Sequence, residues 1–226
     1  MFFDGYYLLL VVPTLILSIY AQIKVKSTFS KYSKISNKRG LTGSEAALML
    51  MRANSITDVS IERTAGTLTD HYDPTSKVLR LSQPVYGETS IAAIGVAAHE
   101  TGHAIQHAKA YGPLALRSYL VPVANIGSMF GPYVAMAGLF FGMPFLLNIG
   151  IVLFSAAVVF YLITLPVEFN ASSRALAMLS EKAILSDDEL VGAKKVLSAA
   201  AMTYVASALT AMASLLRLIL LSRSRD

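Results

Sequence analysis

The feature that most constrains this chain is a set of apolar runs too long for a small aqueous core to absorb. They cover roughly residues 6–23, 119–165 and 196–221. A helix needs about 20 apolar residues to cross the hydrocarbon layer. Lipid also accepts only segments whose backbone groups bond internally. Hydrophobic residues make up 54% of the 226, and lipid is the partner that can cover such an excess. The first run lacks a basic leader and a small-residue cleavage site, so it is expected to remain as an anchor. Pro13 is expected to kink that helix without ending it. The middle run is twice the length of one span and is interrupted at Gly142, Met143 and Pro144. Two spanning helices joined by a very short turn are expected there.

Between these runs the polarity is mixed. The expected organisation is a membrane anchor over 1–24, an aqueous region over 25–117, a membrane hairpin over 118–166, a polar helix over 167–195, and a last membrane helix with its tail over 196–226. Residues 44–53 read as an amphipathic helix with Thr42 or Ser44 as cap. Short β-type stretches follow at 59–64, 67–71 and 77–82, broken by Gly66 and by the turn signal Tyr72-Asp73-Pro74. Residues 88–110 read as one helix rich in Ala and Ile. The fold class is therefore mainly α, with about four membrane helices and a small α+β region.

Net charge is +5. Lys24, Lys26, Lys31, Lys34, Lys38 and Arg39 directly follow the first run, which is the pattern of a cytoplasmic flank. No basic stretch is interleaved with stacking aromatics, so nucleic acid is not an expected partner. The implied topology has the amino terminus outside, the aqueous region inside, and a hairpin that goes out and back. Arg217, Arg223 and Arg225 oppose the charge rule if the last run spans. That run either spans against the rule or lies along the interface; its length and the lack of a strongly polar face favour spanning.

Cysteine is absent, which removes disulfides and thiolate metal sites. A transition-metal site here must use His and carboxylates. The four histidines are His71, His99, His103 and His107. His99-Glu100-Thr101-Gly102-His103 is the H-E-x-x-H pattern on an expected helix. Residues four apart lie one above the other on a helical face, so both imidazoles can reach one zinc ion. Glu100 then stands beside the open coordination position as a general base. The pattern also arises by chance. Its mid-helix placement, the small apolar residues 91–98 before it and the clustering of three histidines argue for the site.

A catalytic zinc usually has three protein ligands and a water. His107 lies four beyond His103, but it stands about 12 Å from His99 along a straight helix. It is read as a neighbour of the site and not a ligand. Glu168 is the better candidate, because a carboxylate beside a spanning helix needs a partner. An interfacial Glu paired with Arg174 is the plainer alternative.

Three blocks carry a resemblance to a known family. They are residues 97–108 around the motif, Leu68-Thr69-Asp70-His71-Tyr72-Asp73-Pro74, and Pro166-Val167-Glu168-Phe169-Asn170-Ala171-Ser172. Together they resemble the YugP-type membrane zinc metallopeptidases of bacteria, over most of the chain. The layout is also similar to HtpX-type membrane proteases. That resemblance implies Glu168 as third ligand, a zincin-like domain and peptide hydrolysis. HtpX-type proteins carry Asp where Ser172 stands here; that Asp orients a zinc-ligating His, and Asn170 or Ser172 is expected to substitute with a neutral hydrogen bond.

The block 70–73 has two readings: turn chemistry at Asp73-Pro74, or His71 or Tyr72 acting as an oxyanion donor over the metal. The stretch 77–82 alternates polar and apolar side chains, as an exposed edge strand that could hold an extended substrate would. The expected function is a Zn2+-dependent membrane endopeptidase working at the cytoplasmic face on membrane-associated protein or peptide substrates. Its rivals are a site-2-type intramembrane protease, a non-catalytic metal-binding scaffold and a transporter. The first would need the zinc helix inside the bilayer, and Glu88 and Lys109 bracket too short an apolar stretch for that. A scaffold has no use for Glu100, and a transporter would need more ionisable groups within the spans.

Overall fold

A computed structural model describes residues 4–223. The chain begins with a π-helical turn, Tyr7–Val11, that runs into α1, Val12–Tyr32. The N–H of Val12 bonds to the carbonyl of Tyr7, five residues back. Pro13 has no N–H to give, and the widened turn before it lets the helix continue. Then come α2 (Gly43–Ala53), β1 (Ser60–Thr64), β2 (His71–Asp73), β3 (Val78–Ser82), α3 (Gln83–Tyr86) and α4 (Ile91–Ala108). The long helices α5 (Gly112–Phe141), α6 (Pro144–Glu181) and α7 (Asp187–Arg223) complete the chain. Among the described residues, four helical stretches are long and apolar enough to cross a membrane: Tyr7–Tyr32, α5, α6 and α7.

Contacts divide the chain into two compact units. One holds the start of the chain to Gln22, Ala115–Pro166, and the chain from Met202 onward. Its helices approach through small residues. A Cβ on Gly127 would lie 2.2 Å from the Leu153 carbonyl oxygen, and one on Gly138 would lie 2.3 Å from the Leu147 nitrogen. Only glycine permits such backbone contact, a recurrent way of packing helices in lipid. Arg217 finds a carboxylate here: its Nε and Nη2 donate to Asp4 Oδ2 at 3.0 and 2.6 Å. α7 is thus a full-length apolar helix whose interior arginine is paired. Arg225 lies outside the described residues.

The second unit comprises Ile23–Leu114 and Val167–Ala201. Its core includes Leu50, Leu79, Leu81, Ile94, Ile105 and Leu179, all essentially sealed from solvent. Burying each such side chain contributes roughly 1.5–3 kcal/mol. Thr42 caps α2 in a reciprocal capping box with Glu45. Ser90 caps α4 through the Ala93 N–H, so the zinc-motif helix starts later than the expected residue 88.

The sheet has the order β1-β3-β2, with β1 parallel and β2 antiparallel to β3. Two expectations need correction. The second strand covers His71–Asp73 and not 67–71. Asp73 instead closes the turn after it, accepting from the Thr75 and Ser76 N–H groups at 2.9 and 3.3 Å. And β3 is the central strand, mostly buried, not an exposed edge. A third difference concerns 167–195. α6 runs unbroken through Pro166 to Glu181, the chain turns at 182–186, where Ala183 takes φ 47°, and α7 starts afresh.

Candidate metal centre

α4 and α6 supply the site. Gly102 is the position that lets them meet: a Cβ there would lie 2.7 Å from the Ala171 carbonyl oxygen of α6. On α4, His99 and His103 lie one turn apart; on α6, Glu168 and Ser172 do the same. The four side chains therefore face each other in pairs. The Glu168 Oε2 lies 3.3 Å from His99 Nε2 and 3.6 Å from His103 Nε2. One ligand atom from each of His99, His103 and Glu168 falls within 4.8 Å of the others. The Glu168 side chain is 2% exposed and the His99 side chain 12%.

The remaining ring nitrogens are held. His99 Nδ1 lies 3.0 Å from Ser172 Oγ, the neutral hydrogen bond expected in place of a carboxylate. His103 Nδ1 lies 3.0 Å from Gln106 Oε1. Gln106 was not singled out from the sequence. Its amide nitrogen donates to the Val167 carbonyl and to Asn170 Oδ1, both at 2.9 Å. Its Oε1 must therefore accept, so His103 carries its proton on Nδ1 and turns the Nε2 lone pair toward Glu168. A lone pair and a carboxylate oxygen facing each other call for a positive charge between them. Burial opposes charge on His103, but the carboxylates of Glu168 and Glu100 prevail and hold its pKa above the ordinary value. A tetrahedral ion with bonds of about 2.0–2.1 Å separates its ligand atoms by about 3.3–3.4 Å. The 3.3 Å separation matches that edge and the 3.6 Å one is slightly longer. Two imidazoles and a carboxylate, oriented by hydrogen-bonded partners, fit zinc.

Glu100 is buried beside this cluster, and the backbone N–H of Tyr72 donates to its Oε2 at 3.1 Å. The contact comes from the outer edge of β2. Nearby, half-buried Asp70 accepts from the Ser82 N–H and hydroxyl at 2.7 and 2.9 Å and ties the end of β3. Burial pushes the Asp70 carboxyl above its ordinary range, with the charge of Glu100 adding to it.

The other expected residues lie apart from the three-ligand group. His71 is exposed and its Nδ1 lies 2.8 Å from the Thr69 carbonyl of its own turn. Tyr72 points its hydroxyl to His107 Nδ1 at 2.7 Å, and burial pushes that phenol up to about 12. His107 is thus engaged with Tyr72 and not with the cluster. Arg174 donates to Asn170 Oδ1 at 2.7 Å, so the alternative Glu168–Arg174 pair is not what the structure records.

Sequence comparison agrees in kind. The chain is 50% identical over 215 residues to the "Putative membrane protease YugP" of Bacillus subtilis (strain 168), covering 95% of this chain and 96% of that one. No solved structure matches it. A family profile described as "Putative neutral zinc metallopeptidase" matches residues 7–223. With the match spanning nearly the whole chain, the protein belongs to that family of zinc metallopeptidases.

Proposed function

We propose that the protein hydrolyses internal peptide bonds of membrane-associated substrates at the cytoplasmic face of the membrane. The observation that carries this reading is the convergence of both imidazole Nε2 atoms on the Glu168 carboxylate, with Glu100 alongside. His99, His103 and Glu168 would hold zinc. When bound, zinc supplies Lewis acidity that polarises a carbonyl and brings the pKa of water to about 7. Glu100 takes the proton from the attacking water on its carboxylate and passes it to the departing amine. The Tyr72 N–H keeps that carboxylate aimed while leaving it able to receive a proton.

The substrate main chain would lie along β2, which forms one edge of the sheet. Tyr72 stands opposite Leu79 in the β2–β3 pair, and its N–H points away from β3 toward Glu100. In an antiparallel pair the N–H and C=O of one residue face the same side. The Tyr72 carbonyl therefore offers an acceptor to an incoming N–H, beside the base. Pairing through the backbone gives modest side-chain selectivity. The cytoplasmic placement follows from the basic residues after the first span, Lys24 to Arg39.

The test is proteolysis of an unfolded protein such as casein by the full chain in detergent, native against Glu100→Gln. Glu100→Gln keeps the shape and removes the base, so cleavage is expected to fall by at least about 10²-fold. Full activity in Glu100→Gln would refute hydrolysis at this site.

A further inference from the structure

Peptide hydrolysis gives no task to the basic end of α1. Lys24, Lys26, Lys31 and Lys34 stand there close together, and no Asp or Glu occurs from residue 5 to residue 44. All four lysines are exposed. None of them pairs with a carboxylate among the described residues; the Lys31 ammonium lies 5.7 Å from the centre of the Tyr32 ring. The next two cations differ. Lys38 Nζ donates to Ser186 Oγ and Arg39 Nη1 to the Ala183 carbonyl, both at 3.1 Å, so they serve the turn between α6 and α7. The four lysines form a surface of one sign that no anion of the protein neutralises.

Their place on the helix says which anion they meet. α1 runs without a break from Val12 to Tyr32, and Lys24 directly follows Ile23, the last residue of the apolar run. At 1.5 Å per residue, Lys26 lies about 4.5 Å and Lys31 about 12 Å past Ile23 along an upright helix. The headgroup layer is about 5–8 Å thick on each side of the hydrocarbon. Lys24 and Lys26 therefore fall at the depth of lipid phosphates. Lys31, on its flexible stem, remains within about a Debye length of them. Lys24 and Lys31 share one helical face and Lys26 points to the opposite one, so headgroups can approach from two sides. The surface is also partly apolar: Ile23 is 62% and Ile35 42% exposed. A soluble acidic partner offers those isoleucines nothing, whereas a phospholipid brings its acyl chains with its phosphate.

We propose that the basic end of α1 is a binding surface for anionic phospholipids, which it selects over zwitterionic ones through Lys24, Lys26, Lys31 and Lys34. A phosphatidylglycerol headgroup carries a phosphate with no cation of its own, so it can neutralise these ammoniums. The phosphate of phosphatidylcholine is already balanced by its choline. Each lysine near such a surface contributes about 1 kcal/mol. This is a binding claim independent of the protease reading.

The experiment reads lipid binding and not cleavage. Full-length protein in dodecyl maltoside is titrated with phosphatidylglycerol or phosphatidylcholine, and native mass spectrometry gives the Kd of the first lipid bound. Reading in detergent makes the result independent of the direction in which a variant inserts. Phosphatidylglycerol is expected to bind at least about fivefold more tightly, the worth of one lysine beside an anionic headgroup. Changing all four lysines to Gln should bring the two lipids level, while changing all four to Arg keeps the charge and should keep the preference. Lys24→Gln with Lys31→Gln is the milder variant, expected to at least halve the preference if the fourfold change does not fold. Arg52→Gln with Lys109→Gln removes cations elsewhere and should leave the preference intact. Soluble glycerol 1-phosphate should not displace the bound lipid at equal concentration; displacement would assign the surface to free phosphates instead. Equal binding of the two lipids by the native chain would overturn the proposal, and so would a full preference that survives in a folded Gln variant.

Discussion

Gln106 shows how much of this site rests on a residue that does no chemistry of its own. Its two donors go to α6 and its acceptor fixes the tautomer of His103. Gln106→Leu keeps the size but frees the His103 ring and strips an acceptor's partner from Asn170. Zinc affinity is expected to fall about 10- to 100-fold, measured by competition with a fluorescent chelator. Ser172→Ala should act in the same direction through His99. The histidine pair with its glutamate was legible in the sequence because its geometry is local: four residues make one face of one helix. Glu168 was legible only through its position beside a span and the resemblance of its block. Gln106 was not, since its role depends on what stands opposite on α6. The sequence signal was present, a lone amide three residues past His103 in a helix of small apolar side chains, but the same signal fits many buried amides.

At the scale of elements, the approach of α4 to α6 is set by Gly102. Gly102→Ala puts a methyl 2.7 Å from a backbone oxygen, and neither backbone can yield without moving its ligands. Overpacking of this kind costs typically about 1–3 kcal/mol. Thermal unfolding should show a lower Tm together with weaker zinc binding. The β2–β3 turn carries a pH dependence. The Ser76 hydroxyl, the Ser76 and Thr75 N–H groups and Arg80 hold the Asp73 carboxyl down at about 2, below its ordinary 3.8. A depressed acid stabilises the fold above its unfolded pKa and loses that contribution as pH falls. Amide protection in residues 75–78, taken relative to the intrinsic exchange rate at each pH, should therefore be full above about pH 4 and decline as the pH drops toward 2. Constant protection over that window would contradict the turn's reliance on Asp73. The helices were readable because their periods are long. The strands were not fully so. Alternation in Val78–Ser82 suits either an edge or a central strand, and only the crossover that sets β1 beside β3 decides between them.

For the whole molecule, the apolar runs predicted the number of long helices and the one short break between α5 and α6. They did not reveal where α6 ends, because polar residues after Pro166 continue the same helix. Arg217, inside the apolar stretch of α7, is paired by Asp4, 213 residues away in sequence. Removing one partner of such a pair should destabilise more than removing both. Asp4→Leu is thus expected to lower the Tm in detergent more than the double change Asp4→Leu with Arg217→Leu; the reverse order would show that the pair does not hold the segment before Tyr7 to α7. The central claim is that His99, His103 and Glu168 bind zinc while Glu100 acts on water. Its most direct test is the zinc content per chain, by mass spectrometry after dialysis against a chelator. Native protein, Glu100→Gln and His107→Ala should each retain about one zinc, while His103→Ala and Glu168→Gln should lose most of theirs. Zinc lost from Glu100→Gln or His107→Ala, with Glu168→Gln still loaded, would contradict the account.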